Sequence, residues 1–156
     1  MPHHELMKSL ILVVEDDADC EKLTLRAIRQ SEISAETRVA RDGEQACVML
    51  LDDQEPVPDL VLLDLKLPRM DGFEVLDKLR SVERTKNVPV IVFSSSNEEP
   101  DLRKAYDLRA NSYVRKPVDF DTFDATLKLI LFYWTTVNQR CDPLMAPRLD
   151  SGITLV

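Results

Sequence analysis

Short apolar runs alternate along the chain with longer stretches in which apolar residues recur every three or four positions. The short runs predict strands, and those made of Val, Ile and Leu are typical of strands buried on both faces. These strands are predicted at residues 10–14, 36–40, 60–63, 88–93 and 111–115. The stretches of helical period predict amphipathic helices at residues 17–30, 44–51, 71–82, 98–108 and 119–138.

This regular alternation of strand and helix predicts the fold class. Consecutive β-α-β units form right-handed crossovers, which give a parallel sheet covered by helices on both faces. We expect a single α/β domain at residues 9–138, after a polar N-terminal lead at 1–8. Residues 139–156, which include Pro143 and Pro147, are expected to form an irregular tail without an effector domain.

Composition narrows the functional classes. A chain of 156 residues, with 44% apolar and 31% charged residues, fits one folded domain. The net charge of −8 argues against nucleic-acid binding, because that binding depends on Lys and Arg neutralising phosphates. The sequence has neither a membrane-spanning apolar run nor a signal-peptide pattern, so we expect a cytoplasmic protein.

The thiols and histidines do not predict a metal site. Cys20, Cys47 and Cys141 have no zinc-like spacing and are interpreted as reduced thiols without a shared role. His3 and His4 are adjacent in the polar lead, where a disordered segment is expected. Any bound metal should therefore have oxygen ligands.

Polar side chains follow four of the predicted strands. In a parallel sheet the carboxyl ends of the strands meet at one edge, where ligands bind. A solvated strand end explains any one of these side chains, but not all of them together. The side chains are Glu15 and Asp16, Asp64, Ser94, and Lys116.

These side chains have matching chemistry. Closely packed carboxylates repel one another unless a cation joins them, and hard oxygen ligands suit Mg²⁺. The carboxylate of Asp64 can attack phosphorus to form an acyl phosphate. The ammonium of Lys116 can stabilise the phosphoryl oxygens, and the Ser94 hydroxyl can donate a hydrogen bond to one of them.

The motifs around these residues resemble the receiver domain of two-component response regulators. The resemblance covers residues 10–138 and implies a flavodoxin-like (βα)5 fold with strand order 2-1-3-4-5. The motifs that carry it are Val-Val-Glu15-Asp16-Asp17, Leu-Leu-Asp64-Leu-Lys-Leu-Pro-Arg-Met-Asp-Gly72, Val-Ile-Val-Phe-Ser94-Ser and Tyr113-Val-Arg-Lys116-Pro117.

The resemblance also implies a role for each site residue. Asp64 is the expected phosphoacceptor for a sensor histidine kinase, and Lys116 is the expected phosphate-binding lysine. Ser94 is the expected switch hydroxyl and Tyr113 the rotating aromatic residue, with a cis peptide bond before Pro117. The expected Mg²⁺ site consists of Glu15, Asp16, Asp64 and the backbone carbonyl of Lys66.

A narrower resemblance concerns the partner kinase. Part of the sequence is similar to stand-alone regulators that are paired with phytochrome histidine kinases, which implies a bacterial light-sensing partner. The motifs are Ser94-Ser-Ser96, Asp101, Ala105-Tyr106-Asp-Leu108, Ala110-Asn111, Lys116-Pro-Val-Asp119-Phe and the aromatic final helix.

The last predicted helix has more apolar surface than one contact with the sheet requires. One side of it predicts burial, and the opposite side predicts a contact with a second copy in a twofold homodimer. The first side consists of Phe120, Phe123, Leu127, Ile130, Leu131, Trp134 and Val137, and the second of Ala125, Leu129 and Phe132.

Three other kinds of protein share part of this pattern. Phosphatases of the haloacid-dehalogenase type use a similar Asp nucleophile, but they need a second Asp two residues later, where this chain has Lys66. A flavodoxin-type FMN carrier needs a phosphate-binding loop after the first strand, and none is present. A receiver-like domain used only for interaction would have lost key residues, yet each position is filled. We therefore expect a phosphoacceptor whose only catalysis is its own phosphorylation and dephosphorylation.

Overall fold

Five parallel strands form a single sheet in the order β2-β1-β3-β4-β5, as predicted. The structure, a computed structural model, describes residues 8–141. The strands are β1 (Ser9–Val14), β2 (Ala35–Ala40), β3 (Leu60–Leu63), β4 (Val90–Ser94) and β5 (Ser112–Arg115). The helices are α1 (Ala18–Gln30), α2 (Gly43–Leu51), α3 (Gly72–Arg80), α4 (Glu99–Asp107) and α5 (Phe120–Phe132), and a π-helical turn (Tyr133–Val137) extends α5.

Two apolar layers cover the faces of the sheet, which explains why the three central strands, β1, β3 and β4, are almost entirely apolar. On one face, α1 and α5 pack against alternate strand residues such as Ile11, Leu62 and Ile91. On the other face, α2, α3 and α4 pack against the intervening residues, such as Leu12 and Leu63. The centre of the sheet is therefore buried, and the polar side chains of the site lie at the carboxyl ends of its strands.

Among the described residues, four of the five α-helices begin directly after an aspartate. The side chains of these aspartates accept hydrogen bonds from the backbone amides three residues later, which satisfies donors that the helix leaves free. The four capping residues are Asp17, Asp42, Asp71 and Asp119. Such local capping explains why the predicted helix starts agree with the structure within one residue.

The two ends of the last helix differ from the prediction. Phe123, Leu127, Ile130 and Leu131 are buried as expected, but Phe120 and Val137 are 43% and 48% exposed. Phe120 lies in the first turn beneath the Arg26 guanidinium, 5.2 Å from the ring centre. Val137 lies in the π-helical turn, whose wider period rotates side chains away from the α-helical stripe.

Some expectations fall outside the described residues. His3 and His4, and the part of the expected tail at residues 142–156, lie there. Within residues 8–141 the three cysteines form no disulfide bond. No helix in that part of the chain has the length and apolar character needed to cross a bilayer.

Candidate functional site

The strand register places Glu15 and Asp64 next to each other. Val14 of β1 is paired with Leu63 of β3, so the residues that follow them are neighbours across the sheet. The backbone amide of Asp64 donates a hydrogen bond to the Val14 carbonyl at 3.0 Å, which extends the ladder to the strand end. Two acidic side chains consequently meet at one point of the sheet edge.

The neighbouring strands bring Ser94 and Lys116 to the same edge. Ser94 at the end of β4 is paired with Arg115 in β5, and Lys116 follows directly. The Lys116 amide donates to the Ser94 carbonyl at 2.8 Å, which fixes where the lysine side chain begins.

The ammonium of Lys116 lies between the two buried acids. Its Nζ is 2.5 Å from Glu15 Oε1 and 3.0 Å from Asp64 Oδ2, and the three side chains are 10%, 5% and 11% exposed. The second oxygen of Asp64, Oδ1, accepts a hydrogen bond from the Leu65 amide at 2.7 Å. Removing one of these charges would leave the others buried and incompletely paired, which is costly.

The site has more acidic than basic groups, and the pKa values of Glu15 and Lys116 reflect this excess. Burial raises the pKa of Glu15 to about 7, and the neighbouring Asp64 adds to the rise, whereas Lys116 opposes it. Burial alone would lower the pKa of Lys116, but the hydrogen bonds and charges of Glu15 and Asp64 outweigh it and raise that pKa. The lysine therefore stays charged, and one ammonium does not neutralise the acids around it.

The acids can hold a hard cation. One carboxylate oxygen each from Glu15, Asp16 and Asp64 lies within 4.8 Å of the others, and the Asp16 side chain is exposed. Three carboxylates and one ammonium have a formal net charge of −2, which a divalent cation would balance. Oxygen donors of this kind fit Mg²⁺.

A close approach of two backbone segments shapes the loop after Asp64. A methyl group at Gly72 would lie 2.2 Å from the Asp64 carbonyl oxygen, so only glycine fits there. The Gly72 amide donates to the Leu65 carbonyl at 2.9 Å and closes the turn. Within this loop, the Lys66 side chain is exposed, and the role of its carbonyl as a metal ligand stays a prediction.

Ser94 lies inside the site, and Tyr113 is linked to it through Ser96. The Ser94 side chain is buried, and its Oγ accepts a hydrogen bond from the Ser96 amide at 3.2 Å. The hydroxyl of Tyr113 donates to the Ser96 carbonyl at 3.0 Å, and the half-buried ring packs against the core. Their roles as switch residues stay predictions.

The peptide bond between Lys116 and Pro117 is trans, because residues 8–141 contain no cis peptide bond. The expected cis bond, which came from the family resemblance, is therefore wrong for this structure. The trans isomer of such a bond is favoured by about 0.5–1 kcal/mol. The next side chain, Val118, is fully exposed, so it makes no packing contact that would offset this preference.

The contacts of two α4 residues, Asp101 and Tyr106, were not predicted from the sequence. Asp101 accepts a hydrogen bond from the Ser96 hydroxyl at 2.6 Å, and the Tyr106 hydroxyl accepts one from the Tyr113 amide at 3.2 Å. Both residues occur in the narrower motif, but an acid in a first helical turn also suits the helix dipole without any specific partner.

Comparison with known families agrees with this geometry. The family model for the response regulator receiver domain matches residues 11–128. Among curated proteins, the probable methanogenesis regulatory protein FilR2 of Methanothrix harundinacea is 36% identical, over 86% of this chain and 88% of its own length. Response regulator Rcp1 of Synechocystis is 34% identical, over 83% of this chain and 91% of its own length.

Solved structures show the same similarity. The Mn²⁺-bound form of Rcp1 has a TM-score of 0.81 at 31% identity, and the match covers 85% of this chain and 99% of that one. The phosphorylated cyanobacterial phytochrome response regulator RcpA has a TM-score of 0.81 at 34% identity, with 85% and 98% covered.

Proposed function

Because this chain belongs to the response regulator receiver domain family, we propose that Asp64 accepts a phosphoryl group from a sensor histidine kinase. The phosphorylated chain would then signal through contacts with other proteins. One observation supports this most directly: a buried lysine bridges the candidate nucleophile and a second acid at the carboxyl edge of the sheet.

The chemistry is an in-line transfer of the phosphoryl group. An oxygen of the Asp64 carboxylate attacks phosphorus and forms the new P–O bond. The bond to the leaving group breaks, and the leaving group, a histidine imidazole of the kinase or the acetate of acetyl phosphate, keeps the electron pair. The ammonium of Lys116 stabilises the negative charge on the phosphoryl oxygens, and the Ser94 hydroxyl donates a hydrogen bond to one of them.

The proposed cofactor is Mg²⁺, held by Glu15, Asp16, Asp64 and the Lys66 carbonyl. When bound, it would supply positive charge against the phosphoryl oxygens. The clustered oxygen donors and the net negative charge of the site support this assignment. A similar protein, Rcp1, has been solved with Mn²⁺.

The similarity to RcpA supports a phytochrome as the partner kinase, because that protein is described as a phytochrome response regulator. Such a pairing would place the chain in the cytoplasm.

A homodimer through α5 is also proposed, since Leu129 and Phe132 on its outer side are 72% and 56% exposed.

Phosphorylation can be tested with radiolabelled acetyl phosphate and Mg²⁺. The chain should take up label that hydroxylamine releases, as expected of an acyl phosphate, and Asp64→Asn should abolish the uptake because the amide is not a nucleophile. Asp107→Asn, at an exposed aspartate of α4, is the matched control and should label normally. Label that persists in Asp64→Asn, or that does not depend on Mg²⁺, would contradict the assignment. Transfer from purified candidate kinases would then identify the partner.

A further inference from the structure

Ser96 joins three parts of the molecule through its three polar groups. Its amide donates to Ser94 Oγ at 3.2 Å, and its carbonyl accepts from the Tyr113 hydroxyl at 3.0 Å. Its own hydroxyl donates to Asp101 Oδ2 at 2.6 Å, a distance typical of a bond to a carboxylate. Because Ser96 is only 5% exposed, water competes little for these bonds.

The bond to Asp101 connects this loop to a weakly attached helix. Within the described residues, α4 buries only Ala105, and its N-cap residue Glu98 makes no side-chain capping bond. Helices with so little buried surface shift at low energetic cost. Besides Ala105, which packs into the core, α4 contacts the Phe73 ring through Lys104 and the Tyr113 amide through Tyr106.

We propose that Asp101 is a positioning residue for the phosphorylation of Asp64. By accepting the Ser96 hydroxyl, it holds the loop between β4 and α4 in the position where Ser96 can orient Ser94. The Ser96 amide occupies one lone pair of Ser94 Oγ, so the Ser94 hydroxyl hydrogen must point elsewhere and is available to a phosphoryl oxygen. This inference rests on the proposed function and adds a residue outside the acidic site.

The same loop position also links α4 to β5. With the loop in this position, the Ser96 carbonyl accepts a hydrogen bond from the Tyr113 hydroxyl. The carboxylate of Asp101 on α4 therefore influences both the Ser94 hydroxyl and Tyr113 through Ser96. A charge in the first turn of a helix could act through the helix dipole alone. Glu99 provides the control, because it lies in the same turn and, within residues 8–141, its ion pair is with Arg103 of the same helix, at 3.1 Å.

The test measures binding of beryllofluoride, an analogue of the phosphoryl group, in the presence of Mg²⁺. Asp101→Ala should weaken binding about fivefold, which corresponds to the loss of about one net hydrogen bond. Asp101→Asn keeps the shape and a neutral acceptor, so it should fold like the wild type and lose less affinity. Glu99→Ala should bind like the wild type.

A double-mutant cycle separates positioning from general destabilisation. Ser96→Ala and Asp101→Ala should each weaken binding, and the double variant should be no worse than either, because both remove the same bond. Ser96→Thr keeps the hydroxyl and should retain affinity. Melting temperatures of all variants show whether an affinity loss is due only to unfolding.

Several results would overturn the inference. In the first two, Asp101→Ala binds beryllofluoride as tightly as the wild type does, or Glu99→Ala loses as much affinity as Asp101→Ala. In the others, the effects of Ser96→Ala and Asp101→Ala add in the double variant, or a lower melting temperature accounts for the whole loss of affinity. If the wild type binds beryllofluoride and requires Asp64, these results would reject only the role of Asp101. If the wild type does not bind it at all, the proposed function of Asp64 fails as well.

Discussion

At the scale of single residues, the side chain of Lys66 is placed to affect how long a phosphoryl group would stay on Asp64. Lys66 follows the acceptor by two residues, is exposed, and forms no ion pair within residues 8–141. Lysine only donates hydrogen bonds, so it cannot hold an attacking water as an acceptor would. Its ammonium can instead lie against the phosphoryl oxygens and shield them.

We therefore predict that Lys66→Asn shortens the lifetime of the phosphorylated protein several-fold. The asparagine carbonyl can accept a hydrogen bond from a water and place it in line with the P–O bond. The measurement is the loss of hydroxylamine-labile label after the phosphodonor is removed. Lys78→Asn, at an exposed lysine of α3, should decay like the wild type. Unchanged or slower decay in Lys66→Asn would show that Lys66 simply points into solvent.

At the scale of elements, one buried arginine connects the ends of α3 and α4 to the start of β4. The guanidinium of Arg80 donates to the carbonyls of Lys86, Val88 and Arg109, and to Asn111 Oδ1, at 2.7–3.0 Å. Burial, together with the nearby charge of Arg109, lowers the pKa of Arg80 to about 10. No carboxylate in the described residues pairs with Arg80. The hydrogen bonds to these four neutral oxygen atoms therefore offset the cost of burying its charge.

Arg80→Met should lower the free energy of unfolding by about 2 kcal/mol, because it leaves buried carbonyls without a donor. Arg103→Met is the control. Arg103 is 75% exposed and forms a pair within α4, so its loss should cost less than about 0.5 kcal/mol. Urea denaturation measures both values. A cost for Arg80→Met as small as that of the control would mean that water replaces the guanidinium.

At the scale of the whole molecule, the outer side of α5 is the proposed contact between two copies. Leu129 and Phe132 of α5, and Tyr133 and Val137 of the π-helical turn, are all between 46% and 72% exposed. Scattered apolar residues are common on surfaces, but these four belong to one continuous helical segment. Burying them in a twofold interface would remove apolar area from water on both copies at once.

Light scattering at tens of micromolar protein should give about twice the mass of one 17.8 kDa chain. Leu129→Lys should convert the dimer to a monomer, because it would place two charges in the interface. Val48→Lys, at a residue of α2 that is 64% exposed, is the matched control and should remain dimeric. A monomeric mass for the wild type, both with and without acetyl phosphate, would reject the dimer.

The strand order was implied by the family resemblance, whereas the sequence patterns themselves determined the fold class and the grouping of the site residues. Both of these depend on local patterns: apolar runs that stop at Asp64 or Ser94, and helices that begin after a capping aspartate. Parallel strands then bring their carboxyl ends to one edge, whatever the details of packing. The predicted strand boundaries were less accurate where residues near the strand end cannot form, or already use elsewhere, the hydrogen bonds of the sheet. β4 begins at Val90 rather than Val88, because Pro89 has no N–H to donate and Val88 is engaged by Arg80.

Only the tertiary structure decided which side chains pair with each other. Lys116 bonds to both Glu15 and Asp64, residues 101 and 52 positions away, and no periodic pattern specifies such a choice. The same holds for the bond between Ser96 and Asp101, which depends on how the loop after β4 turns towards Tyr113. These contacts depend on distances set by the packed sheet and helices, whereas the sequence pattern specifies only which face or end each residue occupies.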